Sequence, residues 1–291
     1  MILPLLLLGV LVALNGLYRT VQNWQPTLSA SDGSVLYAAA FDGFMDEWQQ
    51  YNGRLSANIQ DGALVLKADE LASNPFSLAT PILSDFDLSV TATVTAGPLD
   101  NGFGVIFRLQ DGVVGCDMPL QILCDLAEID AFGVVLRLLF RPISDRATGY
   151  YYFMVSSDGY YALFKATQVG NSTQAERVST WIPSEAIQQG IGAQNTVRVL
   201  AQGDTFQFFI NGQAVNVCIP DDPTAQSTRN PYTGECVGGK LLDTYVDNTF
   251  TSGKIGMIIR SPETITGNFE AVTVAFDNLI IISPRKREVQ A

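Results

Sequence analysis

The stretch "NTVRVLAQGDTFQFFINGQAV" (195–215) decides the fold class. Apolar residues alternate with polar or small ones on both sides of Gly203-Asp204, and Asn211-Gly212 closes the second run. Alternation with period two sends successive side chains to opposite faces, and such dipeptides suit tight turns, so the stretch reads as a β-hairpin. The same grammar extends in both directions. "ALVLKA" (63–68), "FDLSVTATVTA" (86–96), "GFGVIFRLQ" (102–110), "GYYYFMVSS" (149–157), "YYALFKAT" (160–167), "SGKIGMIIRS" (252–261) and "VTVAFDNLIII" (272–282) are rich in β-branched and aromatic residues. "NG" at 52–53 and "DG" at 61–62 and 158–159 mark further turns. One short helix is predicted, "PSEAIQQG" (183–190), with Ser184 as its cap and Gly190 as its stop. Many short antiparallel strands joined by tight turns define an all-β sandwich or barrel.

Composition narrows the function by exclusion. The 291 residues are 47% hydrophobic and 16% charged, which favours a large core over disorder. A net charge of −12 argues against a nucleic-acid partner, because phosphate contacts need a basic face. The chain has no histidine, so Ser-His and Cys-His catalysis and His-ligated zinc or haem are excluded. The four cysteines are Cys116, Cys124, Cys218 and Cys236, and none forms a CxxC pair, which removes the zinc-knuckle reading.

"ILPLLLLGVLVALNGLY" (2–18) is an uncharged run at the short end of what crosses a hydrocarbon core of about 30 Å. No Lys or Arg precedes it and no small-x-small cleavage site follows it, which favours an uncleaved single-pass anchor over a signal peptide. The predicted organisation is a transmembrane anchor at 1–24, a linker at 25–36, a β domain at 37–283 and a basic tail at 284–291. Tyr18 and Trp24 would sit as interfacial aromatics. Four cysteines without metal spacing read as two disulfides, which need an oxidising compartment, so the domain is placed outside the cytoplasm.

The order of motifs carries a resemblance. "FDGFMDEWQQYNGRLSANIQDGALVLKA", "DFDLSVTATV", "DNGFGVIFR", "YYYFMVSSDGYYALFK", the hairpin above, "SGKIGMII" and "VAFDNLIII" follow one another as in the concanavalin A-like jelly-roll superfamily. The chain looks closest there to bacterial extracellular domains related to the laminin-G-like and family-16 glucanase folds. The resemblance implies a two-sheet antiparallel jelly-roll β-sandwich over 40–282, with the first and last strands neighbours in one sheet. "AFDGF" (40–44) and "AFDNL" (275–279) would then lie side by side, with Phe41 and Phe276 facing the core. The resemblance also implies a structural calcium near these termini, with Asp277 as a ligand and Asp42 as a second candidate. The competing reading is a carboxylate solvated or hydrogen-bonded at a strand edge.

Two insertions, 113–149 and 218–247, depart from the family pattern, and each carries one cysteine pair. The local pairings Cys116–Cys124 and Cys218–Cys236 are the simplest of the three connectivities. The first insertion contains "VVLRLLF" and is expected to be buried, against the sandwich or against a membrane or cell-surface protein. Related glucanases place two Glu and one Asp on a single strand. "EIDAFG" offers only Glu128 and Asp130, inside the insertion, so a non-catalytic member is expected. Tyr150, Tyr152, Tyr160 and Trp181 are the candidate platforms for stacking a glycan, although alternation turns about half the rings of "YYYF" inward. Arg19, Arg285, Lys286 and Arg287 gather near the two ends of the domain and are predicted to face anionic headgroups or an acidic neighbour. The reading that results is a membrane-anchored interaction or structural subunit. A carbohydrate-binding module is the alternative, with a glycoside hydrolase behind it.

Overall fold

Alternation becomes pleat wherever one strand face can be buried. The computed structural model describes residues 32–42, 45–110, 149–169, 172–222, 228–230 and 235–285. In chain order the strands begin with β1 (Val35–Ala39), β2 (Leu55–Gln60), β3 (Ala63–Ala68), β4 (Phe76–Leu83), β5 (Phe86–Ala96) and β6 (Gly102–Gln110). They continue with β7 (Gly149–Val155), β8 (Tyr160–Val169), β9 (Ser172–Pro183), β10 (Gln194–Gln202), β11 (Thr205–Ile210) and β12 (Gln213–Val215). The last are β13 (Val217–Pro220), β14 (Thr228–Arg229), β15 (Cys236–Val237), β16 (Gly239–Leu242), β17 (Tyr245–Val246), β18 (Gly253–Arg260) and β19 (Val272–Ile282).

Two antiparallel sheets form the sandwich. The first runs β12-β11-β10-β5-β19-β3-β2, with β1 added to β19 and β17 added to β11. The second runs β4-β18-β6-β7-β8-β9. In the deciding hairpin Val197, Val199 and Ala201 of β10 and Phe206, Phe208 and Ile210 of β11 are all buried. Phe206 and Phe208 meet Phe107 of β6 at ring separations of 5.3 and 6.4 Å, and Phe208 stacks on Phe153 of β7 at 4.7 Å. Aromatic rings thus carry much of the contact between sheets, and their burial drives the packing at roughly 25 cal/mol per Å². The jelly-roll sandwich expected from the motif order is the fold observed.

The two ends of the domain pair. Val35 of β1 lies opposite Ile282 of β19, and Ala39 lies opposite Leu279. Phe41 follows two residues beyond that pair and meets Trp48 edge-on at 5.3 Å, while Trp48 Nε1 donates to the Tyr37 hydroxyl at 2.8 Å. Phe41 and Phe276 are both buried. In β19 the register against β5 shifts between Asp277 and Ile280, and Asn278 takes φ +52°. This bulge explains the sequence there. It inserts one outward residue, so that Phe276, Leu279 and Ile281 all face the core despite their odd spacing.

A second bulge in β6, between Phe107 and Gln110, turns Arg108 into the protein at φ +53°. Its side chain is fully buried. Nε and Nη2 donate to the Ser84 carbonyl at 3.1 and 2.8 Å, Nη1 to that of Phe250 at 3.0 Å, and Nη2 also to that of Gly203 at 2.6 Å. Asp85 accepts from Gly203 N at 2.9 Å and stands 3.6 Å from the guanidinium, whose other neighbour is the Phe206 ring at 4.7 Å. Arg108 therefore ties a strand of the second sheet to the turns that begin β5 and β11 in the first.

The structure corrects the predicted helix. Pro183 ends β9, residues 184–190 follow as a turn with bends and irregular backbone, and among the described residues there is no helix. The Ser184 hydroxyl accepts from Ala186 N at 3.2 Å, as a cap would, but no further turn follows. Ala186 and Ile187 are buried, and Gly190, at φ +99°, donates its N–H to Ser157 O instead. A run this short gains too few helical bonds to offset nucleation, so tertiary contacts decide. β1 also starts at Val35, inside the segment assigned to the linker.

Among the described residues no helix is long and apolar enough to cross a membrane; the anchor predicted at 1–24 lies outside them. So do Cys116, Cys124, Glu128, Asp130, Arg19, Lys286 and Arg287, with nearly all of the first insertion. In the second insertion the Cys218–Cys236 disulfide is formed across 18 residues of sequence. It closes a flap in which β13 pairs with β16 and β14 with β15. Closing a loop of that length restricts the unfolded chain by about 3 kcal/mol, so the Cys236→Ser variant should lose about that much stability in a denaturant titration. A loss below about 1 kcal/mol would mean that the flap is held by its strands instead.

Candidate functional site

Strand direction assigns each loop to an end of the sandwich. β5 runs from the Arg108 clamp to the far end, and so does β7 after it leaves the clamped Gly149 end. At the far end the connection after β5 and the turn between β7 and β8 meet. Asn101 pins them. It is 1% exposed, donates Nδ2 to Pro98 O at 2.7 Å and to Ser157 Oγ at 3.0 Å, and accepts from Ser157 N at 3.2 Å. The tight turn closes through Gly159 N to Ser156 O at 3.0 Å, with Gly159 at φ +94°.

Between these loops lies a pocket of about 330 Å³, lined by Asp100, Asn101, Ser156, Asp158, Tyr160 and Trp181. Asp158 accepts a short hydrogen bond from the Ser156 hydroxyl. Burial raises the Asp158 pKa above its ordinary value; the Ser156 hydrogen bond acts against that, and the charge of Asp100 adds to it. Tyr160 is 38% exposed and Trp181 half-buried. Such a pocket offers carboxylates to hydroxyl groups and ring edges or faces to C–H surfaces, which is what a polyhydroxylated ring needs.

The four predicted platforms thus separate. Tyr160 and Trp181 line the pocket. Tyr150 and Tyr152 point outward from β7, while Tyr151 and Phe153 face the core, as alternation requires. Tyr152 stacks on Phe164 at 4.7 Å, and Phe164 meets Trp181 at 5.8 Å, so a row of rings leads across the outer face to the pocket. That face is not an open cleft, because Ile106, Met154, Ala162 and Ile258 on it are 0–1% exposed. Arg260 lies 6.0 Å over Trp181 and is paired with Glu263 at 3.1 Å.

Sequence reading missed Asp100 and Asp158. Their signal was present in "DNG" and "SSDG", but the first reads as part of a family motif and the second as a turn. It also missed a half-buried charge cluster at the clamp end. Asp247 accepts from Tyr151 Oη at 2.6 Å, and from Lys165 Nζ, Tyr245 Oη and Thr249 N at 2.7 Å each. Four donors saturate this carboxylate, which makes it a structural anchor. Asp277 turns its carboxylate onto Asn278, accepting from the backbone N and from Nδ2 at 3.0 Å, inside the β19 bulge. Asp42 stands beside Gly62. Among the described residues no group of three or more His, Cys, Asp or Glu gathers as a metal site. Arg285 follows the last strand at the clamp end, where its carbonyl accepts from Gln202 Nε2 at 3.0 Å.

A family model described as a 3-keto-alpha-glucoside-1,2-lyase-like domain matches residues 37–281. Solved structures are similar to the chain. LamA from Z. galactanivorans, in complex with laminaritriose and laminaritetraose, is 10% identical, with 87% of this chain and 100% of that chain covered and a TM-score of 0.50. The carbohydrate binding module CBM66 from Bacillus subtilis is 13% identical, with 82% and 97% covered and a TM-score of 0.45. A β-glucanase from Bacillus licheniformis is 9% identical, with 88% and 100% covered and a TM-score of 0.44. At these identities the likeness concerns the fold alone. No curated protein matches the sequence.

Proposed function

We propose, because the chain belongs to the 3-keto-alpha-glucoside-1,2-lyase-like domain family, that it is a sugar-recognising jelly roll. In this reading residues 1–24 hold it at the extracytoplasmic face of a membrane, and it presents a bound saccharide to partners there without turning it over. The pocket of Asp100, Asn101, Asp158, Tyr160 and Trp181 carries the proposal. Its position supports the tethered arrangement. Residues 33 and 285 lie at the clamp end of the sandwich, opposite the pocket.

The test is a glycan array probed with the full-length chain in detergent, followed by calorimetry on the best ligand. Trp181→Ala should weaken binding at least about tenfold, roughly 1.4 kcal/mol. An array without any bound glycan would remove the reading. A second reading, proton donation to the sugar by Asp158, is favoured by one observation: burial and the nearby Asp100 charge keep that carboxyl protonated to higher pH, as a general acid requires. Product release from a bound glycoside, abolished in Asp158→Asn, would select it over simple binding.

A further inference from the structure

The pocket is chemically one-sided. Its described lining holds two carboxylates and two aromatic rings, and no Lys or Arg. Each of these four groups favours a positive charge. Asp100 and Asp158 are close enough for the charge of one to disfavour ionisation of the other, so a cation between them relieves repulsion as well as gaining attraction. Tyr160 and Trp181 add the negative faces of their π systems. Arg260, which sits over Trp181, is already paired with Glu263, so its charge is balanced there. An anionic sugar would bring a third negative charge into a partly desolvated site of a chain whose net charge is −12.

Resting on the saccharide reading above, we propose that this pocket selects a sugar bearing a free, protonated amino group, with the ammonium held between Asp100 and Asp158 and the ring against Trp181 and Tyr160. Neutral sugars keep the ring contacts and lose the charge-assisted bonds, which are roughly twice as strong as neutral ones. Uronic acids are rejected. N-acetylation of the amine removes both its charge and two of its donors, so it is the sharpest chemical contrast available.

The experiment compares three tetramers on the full-length chain by calorimetry at about pH 6, where an ordinary amine is protonated. They are β-1,4-linked glucosamine, β-1,4-linked N-acetylglucosamine and galacturonic acid. The glucosamine tetramer should bind at least about tenfold tighter than the acetylated one, and the galacturonate tetramer should not bind. In Asp100→Asn/Asp158→Asn the glucosamine tetramer should lose at least about tenfold in affinity, and its preference over the acetylated tetramer should vanish. Asparagine keeps the shape of the lining, and circular dichroism of the double variant confirms its fold. Equal or tighter binding of the acetylated tetramer overturns this proposal and leaves the saccharide reading standing. A free-amine preference that survives the double variant also overturns it. No binding of any of the three, together with an empty glycan array, overturns both.

Discussion

Replacing Arg108 with methionine is expected to lower the unfolding free energy by about 4 kcal/mol, the cost of leaving several buried acceptors without a donor. For a domain of this size that corresponds to a drop in Tm of roughly 8–16 °C. Methionine fills much of the same volume, so the loss reports the hydrogen bonds to Ser84, Gly203 and Phe250 more than a cavity. The backbone φ of +53° stays in both proteins, so strain cancels in the comparison. Burial pulls the Arg108 pKa down and Asp85 pushes it back, but an arginine remains charged at any pH the fold survives. The measurement is calorimetry of the full-length chain and its variant under one detergent condition. A shift under about 2 °C would show that water replaces the guanidinium at the three carbonyls.

Asp247→Asn should cost about as much, roughly 3–5 kcal/mol, because it removes the charge paired with Lys165 and sets an amide donor against hydroxyl donors. Its pH dependence separates it from the Arg108 variant. Burial opposes the Asp247 charge, but the hydrogen bonds from Lys165, Thr249, Tyr151 and Tyr245 outweigh it and hold the carboxyl well below its ordinary range. A depressed carboxyl stabilises the fold fully above its unfolded pKa, near 4, and that contribution is lost as pH falls toward the folded value. The gap between wild type and Asp247→Asn should therefore be wide at neutral pH and narrow progressively below about pH 4. Urea titrations at several acid pH values would show it, and a gap that does not change with pH would contradict the assignment.

The sandwich was legible in the sequence because alternation is local. Val197, Val199, Phe206 and Phe208 announce their buried face within a dozen residues. Pairing of the chain ends was legible from the motif order, and β1 does lie on β19. What escaped was what breaks the period. Arg108 occupies a position that alternation sends outward, and only the bulge before Gln110 turns it in. The bulge at Asn278, within which Asp277 accepts from Asn278 N, is likewise something a period-two reading cannot contain. The pocket was half legible. Tyr160 and Trp181 were chosen as aromatics, but Asp100 and Asp158 lie in loops far apart in sequence, and only the strand directions bring those loops to one end.

The pairing of β1 has a mechanical meaning. β1 joins the first sheet through β19 alone, starting at the clamp end and running toward the pocket end. Consider tension between a tether at residue 32 and a ligand gripped at the far end. The pull on β1 and the resistance of β19 then act in opposite directions along the same line. The pairs from Val35–Ile282 to Ala39–Leu279, extended by Gly33 N to Ser283 O and Ser283 N to Ser34 O, are loaded in shear and must break together. The same contacts peeled from one end would fail one at a time at far lower force. Trp48, hydrogen-bonded to Tyr37 in the middle of β1, adds friction to any sliding. The fold is thus strongest along the line that runs from residue 33 to the end that carries the pocket.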